Sequence, residues 1–216
     1  MPKPFWDVEE NVGFVKIKSN VDSLEYKVYN RGSAEDKQKV ADTLAKIRRD
    51  LNKLLFYLCR HPEEWIHKQI ALGIFLTLEI HMPCIHYKVD YIIDSKESDD
   101  VISDTINAEL VKTDKLFSIQ EMTPNEHGII GLNKPKGTKI IMLDNSMEYE
   151  VATKRTFHLT VRNKGGIIDE YSKVIDLALH EITHTLCNDN YWKENNHEYP
   201  FNNYHSFIKK IFSNIK

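Results

Sequence analysis

His180-Glu181-Ile182-Thr183-His184 puts two imidazoles and a carboxylate within five residues. In a helix, residues four apart lie one above the other with Cβ atoms about 5–6 Å apart, so His180 and His184 can share one metal ion. Glu181, one position on, is turned roughly 100° away. It stands beside such an ion and takes a proton from water there. The chemistry of this pattern is hydrolysis by a zinc-activated water, usually of peptide bonds. The flanks predict the helix that holds it. Asp169-Glu170 offers an N-cap and an acidic first turn. Tyr171, Val174, Ile175, Ala178, Leu179, Ile182 and Leu186 recur as one apolar stripe. His180 and His184 fall off that stripe, on a second face with Leu177 and Lys173. Two adjacent histidines on a largely buried helix need partners, which favours zinc over two solvated rings.

A catalytic zinc takes three protein ligands and keeps a fourth position for water. Beyond His184 the donors are Cys187, Asp189, Glu194, His197, Glu198 and His205. The metzincin pattern needs Gly at 187 and His at 190, where this chain has Cys187 and Asn190. Thermolysin-like enzymes draw a glutamate from a separate downstream helix, and Glu194 and Glu198 come too soon for that. His197 is the expected third ligand. It precedes the Tyr199-Pro200 break that opens a last helix. Glu198 and His205 are the remaining candidates.

The run from Leu177 through Phe201 resembles the WLM/SprT-like zincins of the Wss1 and Spartan type, whose signature is H-E-x-x-H, a variable loop, then His, commonly as H-G-x-x-F. Glu198 stands at the Gly position and Phe201 at the aromatic. Upstream, Asp36-Lys37-Gln38 through Leu51, and Phe157-His158-Leu159-Thr160-Val161-Arg162, resemble the WLM-like metallopeptidases of large DNA viruses and microbes. The resemblance covers about residues 12–60 and 146–214. It implies an α+β zincin-like fold with a small mixed sheet, a long N-terminal amphipathic helix and an active-site helix. It also implies Zn²⁺ as cofactor, protein or peptide substrates, and association with DNA and DNA-bound proteins. Phe157, His158, Leu159 and Thr160 would form the rim strand that pairs with extended substrate. Glu181 would be the catalytic base. The oxyanion would be met by Tyr191, Tyr199, Tyr204 or His205.

The rest of the chain is expected to support one catalytic domain over residues 1–216, with an insertion at about 61–145. Val12–Lys18 and Leu24–Tyr29 alternate, predicting a hairpin. Ser33 with Asp36 resembles a capping box. Val40, Leu44, Ile47, Leu51, Leu54 and Leu58 then mark an amphipathic helix, with Arg48, Arg49 and Asp50 facing water. Residues 62–82 read as a helix turning to strand near Gly73, and His86–Ile93 and Lys139–Leu143 as strands. Thr123–Gly137, punctuated by Pro, Asn and Gly, reads as a loop. His81, Cys84 and His86 have no completing pair for a second metal site. Trp65, Tyr26, Tyr29 and Phe56 are expected in the core.

A formal net charge of −3 gives no general attraction to nucleic acid or to anionic membranes. The longest apolar run, Ile70–Leu78, is too short to span a bilayer. Cys59, Cys84 and Cys187 show no disulfide framework. A monomeric intracellular protein, cytoplasmic or nuclear in a eukaryotic host, is the expectation. Two competing readings come from other classes. One is an inactive zinc-binding interaction module, against which Glu181 speaks. The other is a zinc amidohydrolase on a small or cell-wall substrate, which a closed pocket would mark.

Overall fold

A computed structural model of the chain describes residues 6, 13–65, 68, 73–74, 77–78, 117–124, 130–143, 147–187 and 201–215. The predicted hairpin is β1 (Phe14–Lys18) and β2 (Glu25–Tyr29), antiparallel from Phe14↔Tyr29 to Lys18↔Glu25. Helix α1 (Ala34–Arg60) starts at the predicted box. Asp36 N–H donates to Ser33 Oγ at 3.0 Å and Ser33 N–H to Asp36 Oδ2 at 3.1 Å. Two of the donors that every helix N-terminus leaves without intrahelical partners are thereby satisfied. The six-residue stripe from Val40 to Leu58 is fully buried. Arg48 departs from its expected exposure, being buried beside the Tyr26 hydroxyl, which donates to Asp22.

Three more strands follow: β3 (Ser118–Glu121), β4 (Gly131–Leu143) and β5 (Met147–Leu159). They join the hairpin in one five-stranded sheet of order β1-β2-β3-β5-β4. β3 lies parallel to β2 and β5, and the two outer pairs are antiparallel. Helix α2 (Tyr171–Leu186) and helix α3 (Phe201–Asn214) follow the sheet, and a short 3-10 turn, Pro62–Glu64, follows α1. The architecture is α+β with a small mixed sheet.

The span 61–145, read as an insertion, is not apart from the sheet, to which it supplies β3 and β4. Nor is Thr123–Gly137 all loop, since β4 starts at Gly131. Gly73, Ile74, Thr77 and Leu78 are helical, not turning to strand, and Ile74 and Leu78 enter the core. Gly73 packs so close to the Leu186 carbonyl that a Cβ would collide with it. Thr77 Oγ1 donates to Thr185 O at 3.2 Å, supplying the end of α2 with a donor. The predicted strand 86–93 lies outside the described residues.

Strand alternation gives the sheet two unlike faces. Tyr26, Val28, Ile119, Phe157 and Leu159 turn inward to a core shared with α1 and α2. Trp65 joins that core and donates its indole N–H to Leu58 O at 2.7 Å. Among the described residues, no helix is long and apolar enough to cross a membrane.

Candidate metal and catalytic site

Helix α2 carries the pentapeptide as its spacing predicts. Val174, Ile175, Ala178, Leu179, Ile182 and Leu186 are buried, Tyr171 is half-buried, and its hydroxyl donates to Asp50 at 2.6 Å. The predicted N-cap differs. Glu170 holds the cap position without a side-chain hydrogen bond, and Asp169 instead accepts from Lys173 at 2.9 Å.

His180 and His184 are half-buried, and their Nε2 atoms lie 3.2 Å apart. The rings stand nearly perpendicular, 4.9 Å between centroids at 75°. Helix α3 closes over them. Its first residue, Phe201, lies 4.9 Å from the His180 ring and 4.4 Å from that of His184. One turn on, His205 meets His180 at 5.4 Å and 80°, with its Nε2 enclosed. The i,i+4 spacing of Phe201 and His205 behind Pro200 was the available sequence signal for this shared face.

Glu181 is buried, and β4 covers it. A Cβ built on Gly131 would come well within 3.0 Å of Glu181 Oε1 and of the Leu177 side chain. Only glycine lets the strand approach the carboxylate this closely. Two residues on, Asn133 Nδ2 donates to Glu181 O at 2.8 Å and to Thr185 Oγ1 at 2.7 Å. Asn133 Oδ1 accepts from Arg155 Nη1 at 3.2 Å. Strand β4 is thereby fixed in register against the turn of α2 that carries Glu181. Gly131 and Asn133 lie in the stretch that reads as a loop, so sequence reasoning missed both.

The structure corrects the expected rim strand. β5 is an interior strand, paired with β3 from Ser118↔Thr156 to Glu121↔Leu159 and with β4 along its whole length. Its backbone edges are already used, so residues 157–160 cannot accept a substrate strand. Phe157 and Leu159 are buried in the core. His158 Nδ1 bonds Gln120 Nε2 at 2.9 Å, and Thr160 N–H donates to Ile130 O at 2.9 Å. The sheet edge beside α2 is β4.

His197, Glu198, Asp189, Glu194, Tyr191 and Tyr199 lie outside the described residues, as do His81, Cys84 and His86. Tyr204 is half-buried on α3, and Cys187 is the C-cap of α2. Among the described residues, no group of three His, Cys, Asp or Glu side chains has the spacing to hold a metal ion. Comparison with protein-family models, with curated proteins and with solved structures gives no match for this chain.

Proposed function

We propose that the chain is a zinc-dependent peptidase of zincin-like fold, in which His180, His184 and His197 hold the metal and Glu181 is the general base. The separation of the two Nε2 atoms carries the reading. Zinc–nitrogen bonds of about 2.0–2.1 Å at tetrahedral angles set ligand nitrogens roughly 3.3 Å apart, and the pair stands at 3.2 Å without any rotamer change. An N–H···N bond between neutral rings has a similar length, so a metal measurement separates the two. For the third ligand, the chain leaves α2 just beyond His184 and returns at Phe201, whose ring already covers both imidazoles. Residue 197 is four residues from Phe201 and can be no more than about 14 Å from it.

Zinc, when bound, supplies a Lewis acid that polarises the scissile carbonyl and acidifies the attacking water. Glu181 does the proton work. Its carboxylate, pressed between α2 and the Gly131 backbone, has little freedom to swing, so it takes the proton of the attacking water and returns it to the leaving amine. Phe201 screens one side of the imidazole pair from water. Among the described strands β4 is the edge nearest Glu181, and it offers an extended polypeptide its backbone groups, the role expected of residues 157–160.

Metal analysis after chelator-free purification tests the proposal, together with casein degradation by wild type and Glu181→Gln. About one zinc per chain is expected in both proteins, with activity lower by 10²-fold or more in the variant, roughly the contribution of a general base. His197→Ala should weaken zinc binding far more than His205→Ala. A metal-free wild type would refute the proposal, and a Glu181→Gln protein that loses zinc would refute the role given to Glu181.

A further inference from the structure

Among the described strands β1 has one neighbour, β2, and forms the far edge of the sheet. The ladder fixes which backbone groups face outward from that edge. Asn30 N–H donates to Gly13 O at 3.1 Å, and Ser19 N–H to Leu24 O at 2.8 Å. Alternation between these two pairs directs the backbone groups of Val15 and Ile17 at β2, and those of Phe14, Lys16 and Lys18 away from it. Gln38 Nε2 donates to Lys18 O at 3.0 Å, which closes the edge at that end. From the Phe14 N–H to the Lys18 N–H, donors and acceptors therefore recur every second residue, the spacing at which an added strand pairs.

The side chains give this edge two chemistries. Phe14, Lys16 and Lys18 are exposed on one face, with Lys27 directly beside Lys16. Glu25 lies opposite Lys18 and engages Lys16 at 3.2 Å. Such an exposed pair is worth little, so another carboxylate can displace it. Three lysines against one carboxylate leave the face positive. On the other face Val15 and Ile17 pack on the core yet stay half-buried, leaving apolar surface that a further strand would cover.

A second copy of this chain does not suit the edge. Antiparallel pairing of two β1 strands about Lys16 sets Lys16 against Lys16, and lysines on an edge deter that pairing. An acidic strand meets the same lysines as attraction. Carboxylates on alternate residues would lie opposite Lys16 and Lys18, and apolar residues between them would cover Val15 and Ile17. Four inter-strand gaps of about 4.8 Å, roughly 19 Å in all, separate β1 from β4, the strand that covers Glu181.

We propose that the β1 edge is a docking site for a partner polypeptide whose acidic and apolar residues alternate, and which joins the sheet as an added strand. This rests on the sheet edge alone and is independent of the metal. Fluorescence anisotropy on the full chain, with a labelled and end-blocked Glu-Val-Glu-Val-Glu peptide, tests it. Glu181→Gln is kept in place throughout, so that cleavage of the probe does not pass for weak binding. Saturable binding is expected. Lys16→Glu should weaken it about tenfold, exchanging an attractive cross-strand pair for a repulsive one. Methylating the central amide nitrogen of the peptide should weaken it by a similar factor, since one ladder hydrogen bond is lost. Lys154→Glu, on β5 and away from this edge, should change it less than about twofold. Circular dichroism confirms that each variant is folded. Amide hydrogen exchange reads the edge directly in the protein without Lys16→Glu: bound peptide should slow Phe14, Lys16 and Lys18 while Val15 and Ile17, already bonded to β2, stay as they were. Lack of saturable binding, equal affinity for Lys-Val-Lys-Val-Lys or for Val-Val-Glu-Glu-Glu, indifference to Lys16→Glu, or protection on β4 in place of β1 would each overturn the proposal.

Discussion

At the scale of single residues, the placement of His180, Glu181 and His184 on one helix was legible because its information is local: a period of 3.6 fixes which side chains stack, whatever the rest of the chain does. What the period could not show is what lies opposite Glu181. The Gly131 backbone fills that place, and the consequence is testable. Gly131→Ala puts a methyl group against the Glu181 carboxylate and the Leu177 side chain, so one of them or the strand must move. A displacement of about 1 Å at a reacting group costs on the order of 10²-fold in rate. Casein turnover should fall by roughly that factor while zinc content stays at the wild-type level, and unchanged turnover would remove Gly131 from the site. A second residue gives a pH signature. His158 is held below its ordinary 6.5 by burial and by Lys134 and Lys27. In the unfolded chain it titrates normally, so below pH 6.5 the unfolded state binds more protons and stability drops as pH falls toward the folded value. His158→Gln should lose less stability than wild type between about pH 7.5 and 5.5, as read by urea denaturation.

At the scale of elements, the hairpin and the helices α1 and α2 were readable, since each carries an uninterrupted period and α1 also carries its cap. β4 was not. Pro135 and Gly137 interrupt it, and Gly137 has φ +68°. Both signals ordinarily mark a loop, yet an edge strand tolerates a residue that cannot donate. β3 was hidden for another reason: four residues with partners 38 and 93 positions away leave no local trace. One side chain, that of Asn133, ties β4 to α2 by hydrogen bonds: its amide serves the Glu181 carbonyl and the Thr185 hydroxyl, and its oxygen serves Arg155. Asn133→Ala leaves Arg155, 4% exposed, with one acceptor fewer and frees the strand to shift along the helix. A loss of about 1–3 kcal/mol is expected in chemical denaturation, since buried polar groups lose a partner. Peptidase activity should drop together with it, and Asn133→Asp should restore neither, lacking the donor.

At the scale of the whole molecule, one buried ion pair joins parts of the chain that no local pattern relates. Arg162 is fully buried, with Nε donating to Glu121 Oε1 at 2.6 Å and Nη2 to Glu121 Oε2 at 2.7 Å. Its Nη1 also donates to Arg31 O at 2.7 Å, while Glu121 accepts from the Tyr29 N–H at 2.8 Å. Thus the end of β3, the exit of β5 toward α2, and the turn from β2 into α1 meet at one guanidinium. Such a pair adds little net stability over a well-packed apolar pair, because both ions lose their water, but breaking it strands a charge in the core. Glu121→Ala should therefore cost about 3–5 kcal/mol in urea denaturation at neutral pH. Replacing both partners, as Glu121→Leu with Arg162→Met, removes the stranded charge and should recover part of that loss. Recovery should stop short of wild type, because the Tyr29 N–H and the Arg31 carbonyl still lose their partners. A double variant no better than Glu121→Ala would mean that the cost lies in those backbone groups and not in the charge. A Glu121→Ala protein within about 1 kcal/mol of wild type, the worth of an ordinary hydrogen bond, would show that the pair does not hold the sheet to the turn before α1.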